Sequence, residues 1–311
     1  MSARPFRFGV QVGGPADARG WVEQARRLED LGYSTLTMPD HFTDQLAPVP
    51  ALSAAAAVTT TLRIGALVFD NDYKHPVVLA KELATQDVLS AGRVEIGIGA
   101  GWLQSDYAAA GMPYDRPGVR VDRFEEALVV LRGAMADGPF SFSGRHYTVT
   151  DYDALPKPVQ RPHPPILIGG GGRRVLSIAA RQADIVGVNG SLAAGVVGPA
   201  ALATMTLEAV TAKVAIVRAA AGDRIDDIEL SIRAFGVAVT GDRAGRLAEL
   251  AGFLGVPETM IAESPFGLFG SVNGIIEDLQ RRRDELGFSY VIVGGEDIDA
   301  FAPVVARLTG T

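Results

Sequence analysis

The chain has 311 residues and no cysteine, which removes disulfides, thiolate metal sites and thiol nucleophiles together. Histidine is nearly as scarce. Among His41, His75, His146 and His163 no two stand at the i,i+4 spacing that puts a zinc ligand pair on one helical face, so no metal site is expected. There is no block of Lys and Arg, and the net charge is −7. Phosphate-backbone affinity is built from clustered cations, so nucleic acid is not an expected partner. No stretch reaches the ~18 uninterrupted apolar residues of a membrane span, and "MSARPFRFGVQVGG" runs into a strand pattern without an apolar segment of signal-peptide length. The expectation is a soluble cytoplasmic protein without membrane contact. Apolar residues make up 48% and charged ones 21%, enough apolar material for a large core.

What is present is an alternation of short β-branched runs with longer amphipathic ones. "FRFGVQV" (6–12) reads as a strand, and Trp21, Ala25, Leu28 and Leu31 follow on one helical face. "STLTMP", "LRIGALVF", "RVEIGIGA", "PPILIGG", "ADIVGVN", "IELSIRAFGVAV" and "FSYVIVGG" bring the strands to eight, with helices between nearly all of them and no linker-like gap. Eight parallel βα units in one domain, residues 1–311, predict a (β/α)8 TIM barrel, the alternative being a doubly wound open sheet. Two segments fall outside the repeat. Residues 138–165 read as a hairpin followed by a proline-rich connection, and residues 187–199 as a glycine-rich loop. Both are expected over the C-terminal mouth, where βα loops build active sites.

"GRVEIGIGAGW" (92–102) raises the question of a dinucleotide fingerprint. That fingerprint should follow the first strand, open directly into a helix and precede an acid at a strand end. Here the glycines follow the fourth strand, the spacing is G-x-G-x-G, and Glu125 and Glu126 fall on a helix. Two readings remain: glycines that clear one face of the pleat for a planar ring, or a tight packing corner. "ILIGGGGRR" (166–174) places four glycines between a strand and a helix, where backbone amides and Arg173 or Arg174 could receive a phosphate; the alternative is a flexible loop. "MPDHF" puts Asp40 and His41 past the second strand, a proton-exchanging histidine tuned by its neighbouring carboxylate or a histidine bonded for structure. Asp70, Asn71 and Asp72 follow the third strand.

Taken together, "FGVQ", "LEDLGYSTLTMPDHF", "HPVVLAKELATQDVLSAGRVEIGIGAGW", "RVDRFEEALVVLR" before "SGRHY", "PPILIGGGG" and the closing "VGG" resemble the bacterial-luciferase-like oxidoreductases, in particular the branch that uses the deazaflavin coenzyme F-420. The resemblance spans nearly the whole chain. It implies a luciferase-like barrel with the ring at the C-terminal mouth, bordered by Gly99, Ala100 and Gly101, a non-prolyl cis peptide at Leu67-Val68 with Asp70 nearby, and the phosphate at Gly170, Gly171, Gly172 and Arg173 beside Asn189, Gly190 and Ser191. It makes His41 the proton-exchanging residue, with Asp40 on the cofactor side. Trp102 stands where related dehydrogenases carry a glutamate, and it is assigned to the wall of an apolar ring or substrate pocket. The implied function is hydride transfer between F-420 and a small organic substrate. The alternatives are an FMN-dependent monooxygenase served by a separate flavin reductase, or a non-catalytic flavin- or deazaflavin-binding protein. A homodimer is also implied.

Overall fold

Parallel strands buried on both faces must be apolar along their whole length, and the runs found in the sequence become such strands. The computed structural model describes residues 4–14, 17–196 and 198–311; Met1 to Ala3 and, within the expected 187–199 loop, Val197 lie outside the described residues. The barrel strands are β1 (Arg7–Gln11), β2 (Thr35–Met38), β3 (Arg63–Ala66), β4 (Val94–Gly99), β5 (Ile166–Gly170), β6 (Ile185–Val188), β7 (Glu229–Arg233) and β8 (Phe288–Gly294). Every neighbouring pair is parallel. The pairing Phe8↔Val291 joins first strand to last, so the sheet closes into a (β/α)8 barrel.

A helix follows each strand: α1 (Ala18–Asp30), α2 (Pro48–Ala57), α3 (Pro76–Leu89), α4 (Pro117–Met135), α5 (Arg173–Gln182), α6 (Leu207–Ala221), α7 (Val272–Leu286) and α8 (Ile298–Leu308). Their inward faces are the ones the periodicity marks. Trp21, Ala25 and Leu28 of α1 are buried, as are Val121, Phe124, Leu128, Leu131 and Met135 of α4. Their starts obey local rules. Asp17, Thr206 and Ser271 cap α1, α6 and α7 by accepting backbone N–H bonds, and Pro76 opens α3, where its missing N–H costs nothing. The Ala-rich α2 packs inward, and its Ala51 carbonyl accepts the Trp21 indole N–H at 2.7 Å. No helix among the described residues is long and apolar enough to cross a membrane.

The N-terminal end of the barrel holds an ion network. Arg7 pairs with Glu95 at 2.6 Å and Glu229 at 2.5 Å, Arg63 also reaches Glu95 at 2.7 Å, and the Arg7 guanidinium lies 3.5 Å from the centre of the Tyr290 ring. Each carboxylate is met by a cation, the condition under which buried charge is tolerated.

Two expectations are corrected. "IELSIRAFGVAV" is not one strand: β7 ends at Arg233, and Gly236–Val239 pairs in parallel with Gly267–Gly270 in a separate two-stranded sheet beyond the barrel. The two helices between them, Arg243–Leu254 and Glu258–Glu263, make this a small lobe inserted before α7. The break has a visible cause, because the Phe235 amide bonds to the Phe266 carbonyl instead of to a barrel neighbour. The 138–165 segment does contain the expected hairpin, Phe140–Ser143 with Thr148–Tyr152, and Glu126 holds its turn by accepting the amides of Arg145, His146 and Tyr147. Only that turn approaches the mouth, with Asn71 donating to the Tyr147 hydroxyl. The proline-rich part runs along the opposite end, where Gln160 bonds to Asp87, to the Val94 carbonyl and to Arg63. A parallel β5 has to be entered from its N-terminal side, so the chain must return there.

Candidate functional site

All the residues singled out in the sequence lie at or just past the C-terminal ends of β2 to β6, on one face of the barrel. They form two groups. Asp40, His41, Leu67, Val68, Asp70, Gly99, Ala100, Gly101 and Trp102 belong to the first; Gly170, Gly171, Gly172, Arg173, Asn189, Gly190 and Ser191 form the second. Val68 stands between them, because a Cβ on Gly99 would meet its side chain at 2.8 Å and one on Gly169 at 3.5 Å. The Leu67-Val68 peptide is cis, and the Leu67 carbonyl accepts a 2.7 Å bond from Gln11 at the end of β1. Gln11 in turn accepts from Arg233 Nε at the end of β7, so a polar chain crosses the mouth from β7 to β3.

His41 is oriented by a carboxylate, but not by its neighbour in sequence. Its Nδ1 lies 2.7 Å from Oδ2 of Asp106, 65 positions along. Asp40 points elsewhere and accepts the Asp70 backbone N–H at 3.1 Å. The hydrogen-bond partner of His41 is therefore Asp106, while Asp40, bonded to the Asp70 amide, stays within electrostatic range of the imidazole. Asp106, 3% exposed, sits in the first turn of the short helix Gln104–Ala110 and also accepts from the Tyr73 hydroxyl at 3.1 Å. Its signal in the sequence was an acid opening a helix four residues after Trp102. The Trp102 ring stands edge-on to His41, with centroids 5.6 Å apart. His41 Nε2 has no hydrogen-bond partner among the described residues.

Below this pair lies a buried acidic layer. The Tyr107 hydroxyl is within hydrogen-bond distance of both Asp70 oxygens and of Asp72, and Arg123 pairs with Asp72 at 2.8 Å. Burial, reinforced by the Asp72 charge, pushes the Asp70 carboxyl up to about 7. Burial also raises Asp40. The Tyr73 and Tyr107 hydroxyls are held protonated by burial and by the carboxylates they touch.

Three glycines of "GRVEIGIGAGW", Gly97, Gly99 and Gly101, make room for the protein's own atoms. A Cβ on Gly97 would lie 1.9 Å from the Ala66 carbonyl oxygen, and one on Gly101, at φ +75°, would lie 2.0 Å from the Tyr107 hydroxyl. Gly97 and Gly99 admit the end of β3, and Gly101 admits Tyr107 and Asp70. In the second group Gly171 packs against the far loop, since its Cβ would meet the Gly190 carbonyl oxygen at 2.2 Å, whereas Gly172 faces open space at the start of α5. Arg174 is engaged by Asp122 and Glu125, which leaves the exposed Arg173 as the cation of that turn with no ion-pair partner among the described residues. A glycine cradle at the N-terminus of a ten-residue helix, with a cation beside it, fits a phosphate group. The loop after β6 crosses toward Trp102, with the Gln104 amide donating to the Gly195 carbonyl.

A family model described as luciferase-like monooxygenase matches residues 2–287. An FMNH(2)-dependent dimethylsulfone monooxygenase of Pseudomonas putida is 30% identical over 252 residues, 78% of this chain and 65% of that protein. An F-420-dependent glucose-6-phosphate dehydrogenase of Amycolatopsis mediterranei is 29% identical over 193 residues, 58% of this chain and 55% of that protein. The chain thus spans about half to two thirds of the length of the curated relatives it matches. Among solved structures, the coenzyme F-420-dependent tetrahydromethanopterin reductase from Methanopyrus kandleri superposes with a TM-score of 0.78 at 19% identity, covering 98% of each chain. That likeness shows the fold.

Proposed function

The chain belongs to the luciferase-like monooxygenase family, and from that premise we propose that it is a coenzyme F-420-dependent oxidoreductase acting on a small organic substrate, with His41 as the residue that moves the proton. The observation that carries this reading is the His41–Asp106 pair at the mouth. A carboxylate on Nδ1 fixes which imidazole nitrogen faces inward and stabilises the cation formed when the other nitrogen takes a proton. His41 Nε2 is then the atom that gives a proton to the substrate or takes one from it.

When bound, the deazaflavin supplies or accepts the hydride. The protein binds, orients and excludes water. Gly171, Gly172 and Arg173 are the groups for an anionic tail, with Asn189 to Ser191 alongside. Leu67, Val68 and Gly99 to Gly101 border the ring, and Trp102 walls the pocket next to His41.

FMN with oxygen chemistry is the second reading. It is favoured by the 30% identity to the FMNH(2)-dependent dimethylsulfone monooxygenase, and it would add a flavin reductase as partner. The two are separated by titrating purified protein with F-420 and with FMN, each followed by quenching of its own fluorescence. Tight F-420 binding with weak FMN binding is the expected result. FMN binding alone moves the assignment to the oxygen-dependent reading, and binding of neither refutes both.

A further inference from the structure

Lys213 is the one lysine on α6, and it is 7% exposed. Its Nζ donates to the carbonyl oxygens of Asn189 at 2.7 Å and Thr204 at 2.6 Å. No carboxylate among the described residues forms an ion pair with it. Between Asn189 and Thr206 the chain has no titratable residue, and β6 has none. Helix α5, packed against α6, carries only the cations Arg173, Arg174 and Arg181. On α6 itself are Glu208 and Arg218, and Asp223, Arg224 and Asp226 lie beyond its far end; none of them bonds to Lys213. Burial alone lowers its ammonium, to about 8.

A tie between two loop carbonyls does not need a charge. An uncharged donor would hold Asn189 and Thr204 without the desolvation cost of a buried ammonium. What the lysine adds is a positive charge directly behind the Asn189 to Ser191 loop. On the front of that loop, Gly171 packs against the Gly190 and Asn189 carbonyls and leads into the first turn of α5. The Asn189 carbonyl oxygen that accepts from Lys213 is thus also one of the atoms Gly171 packs against, so the buried cation and the glycine cradle meet at one backbone group.

We propose that Lys213 is a positioning residue for the anionic tail of the cofactor: it fixes the rear of the cradle and supplies charge through the loop to a phosphate held on the front. This rests on the anion site of the proposed function. The sign of the pH dependence follows. Phosphate binds better to the charged lysine, so affinity is full below the lysine pKa and is lost as pH rises through it, and the bound anion itself moves that pKa upward. The second ionisation of a phosphate monoester, at about 6, is complete before this window opens.

The test uses FMN and riboflavin, which share a ring and differ in the phosphate. Their dissociation constants are measured by fluorescence quenching from about pH 7 to about pH 9.5, and the ratio of the two isolates the phosphate while cancelling ionisation of the ring. In the wild type the ratio is expected to fall at least about tenfold across the range, a lower bound for one charge acting a few ångströms from a phosphate at an effective dielectric constant near 20. Lys213→Met should show the low ratio at every pH. Lys213→Arg, which stays charged, should keep the high ratio at every pH. Thermal melts of both variants establish that they fold. If F-420 is the ligand that binds, the same ratio is taken between F-420 and the deazaflavin lacking its phosphodiester tail. A flat wild-type ratio overturns the proposal, as does a Lys213→Met protein that loses FMN and riboflavin equally, since that marks a purely structural tie. Failure of every ring compound to bind refutes the proposed function itself and the proposal with it.

Discussion

Alanine substituted in turn at Gly97, Gly99, Gly101 and Gly172 should separate glycines that admit the protein's own atoms from one that leaves space. At Gly97 the new Cβ would lie 1.9 Å from the Ala66 carbonyl oxygen. That is backbone against backbone between β3 and β4, so the strands must part, and a cost above about 4 kcal/mol is expected. At Gly101 two penalties add. Its φ of +75° costs an L-residue roughly 1–2 kcal/mol, and the Cβ would displace the buried Tyr107 hydroxyl from Asp70, worth about 1–3 kcal/mol. The sum is about 2–5 kcal/mol, a fall in Tm of about 3–8 °C for a chain of this size. At Gly99 the obstacle is Val68 Cγ2 at 2.8 Å, a side chain that can turn, at a cost of about 1–2 kcal/mol. Gly172 has nothing within 4 Å of its Cβ, so stability should stay within about 0.5 kcal/mol of wild type. Urea and thermal melts of the four variants measure the order. Gly97→Ala within about 1 kcal/mol of wild type, or Gly172→Ala as costly as Gly101→Ala, would refute the reasoning.

Two further perturbations probe the chemistry beneath the mouth. Asp106→Asn keeps an acceptor for the Tyr73 hydroxyl but removes the charge facing His41; with any substrate that turns over, kcat should drop about 10- to 100-fold while KM and cofactor affinity hold, and an unchanged kcat removes the pair from proton transfer. Asp70 has its pKa raised to about 7 by burial, so the native state retains a proton that the unfolded chain gives up near its ordinary value, and stability is lost as pH rises from about 4 to about 7. Asp70→Asn should therefore be more stable than wild type by about 1–3 kcal/mol at pH 8, with the gain shrinking toward pH 5. A pH-independent difference between the two melting curves would show that Asp70 is ionised in the fold.

How much of this was legible in the sequence depended on the range over which each feature is determined. Helix α3 runs from Pro76 to Leu89 and is legible in the sequence, because proline at the first position and apolar periodicity are both local. The strand ends that carry Asp40, His41 and Gly99 to Gly101 were placed by the same alternation. The partner of His41 was not. Asp106 is 65 residues away and meets His41 only because β4 lies two strands from β2 in the closed sheet, while Asp40 was adjacent in sequence and pointed away. The small sheet of Gly236–Val239 and Gly267–Gly270 was missed for a similar reason: "IRAFGVAV" was read as one continuous apolar run, and the break after Arg233 is made by Phe266, which sequence order puts 33 residues later.

The same distinction explains why the site is built as it is. Four groups at the mouth are held by elements from elsewhere in the barrel: Leu67 by Gln11 of β1, Gln11 by Arg233 of β7, His41 by the helix after β4, and the loop after β6 by Lys213 of α6. Closing the barrel is what brings these pairs within reach, so a defect in closure at Gly97 should disorder the mouth even where every site residue is intact. Gly97→Ala protein that accumulates in soluble form but fails to quench either cofactor's fluorescence would demonstrate that dependence. Full cofactor binding by the same protein would show instead that the mouth is organised by its own loops.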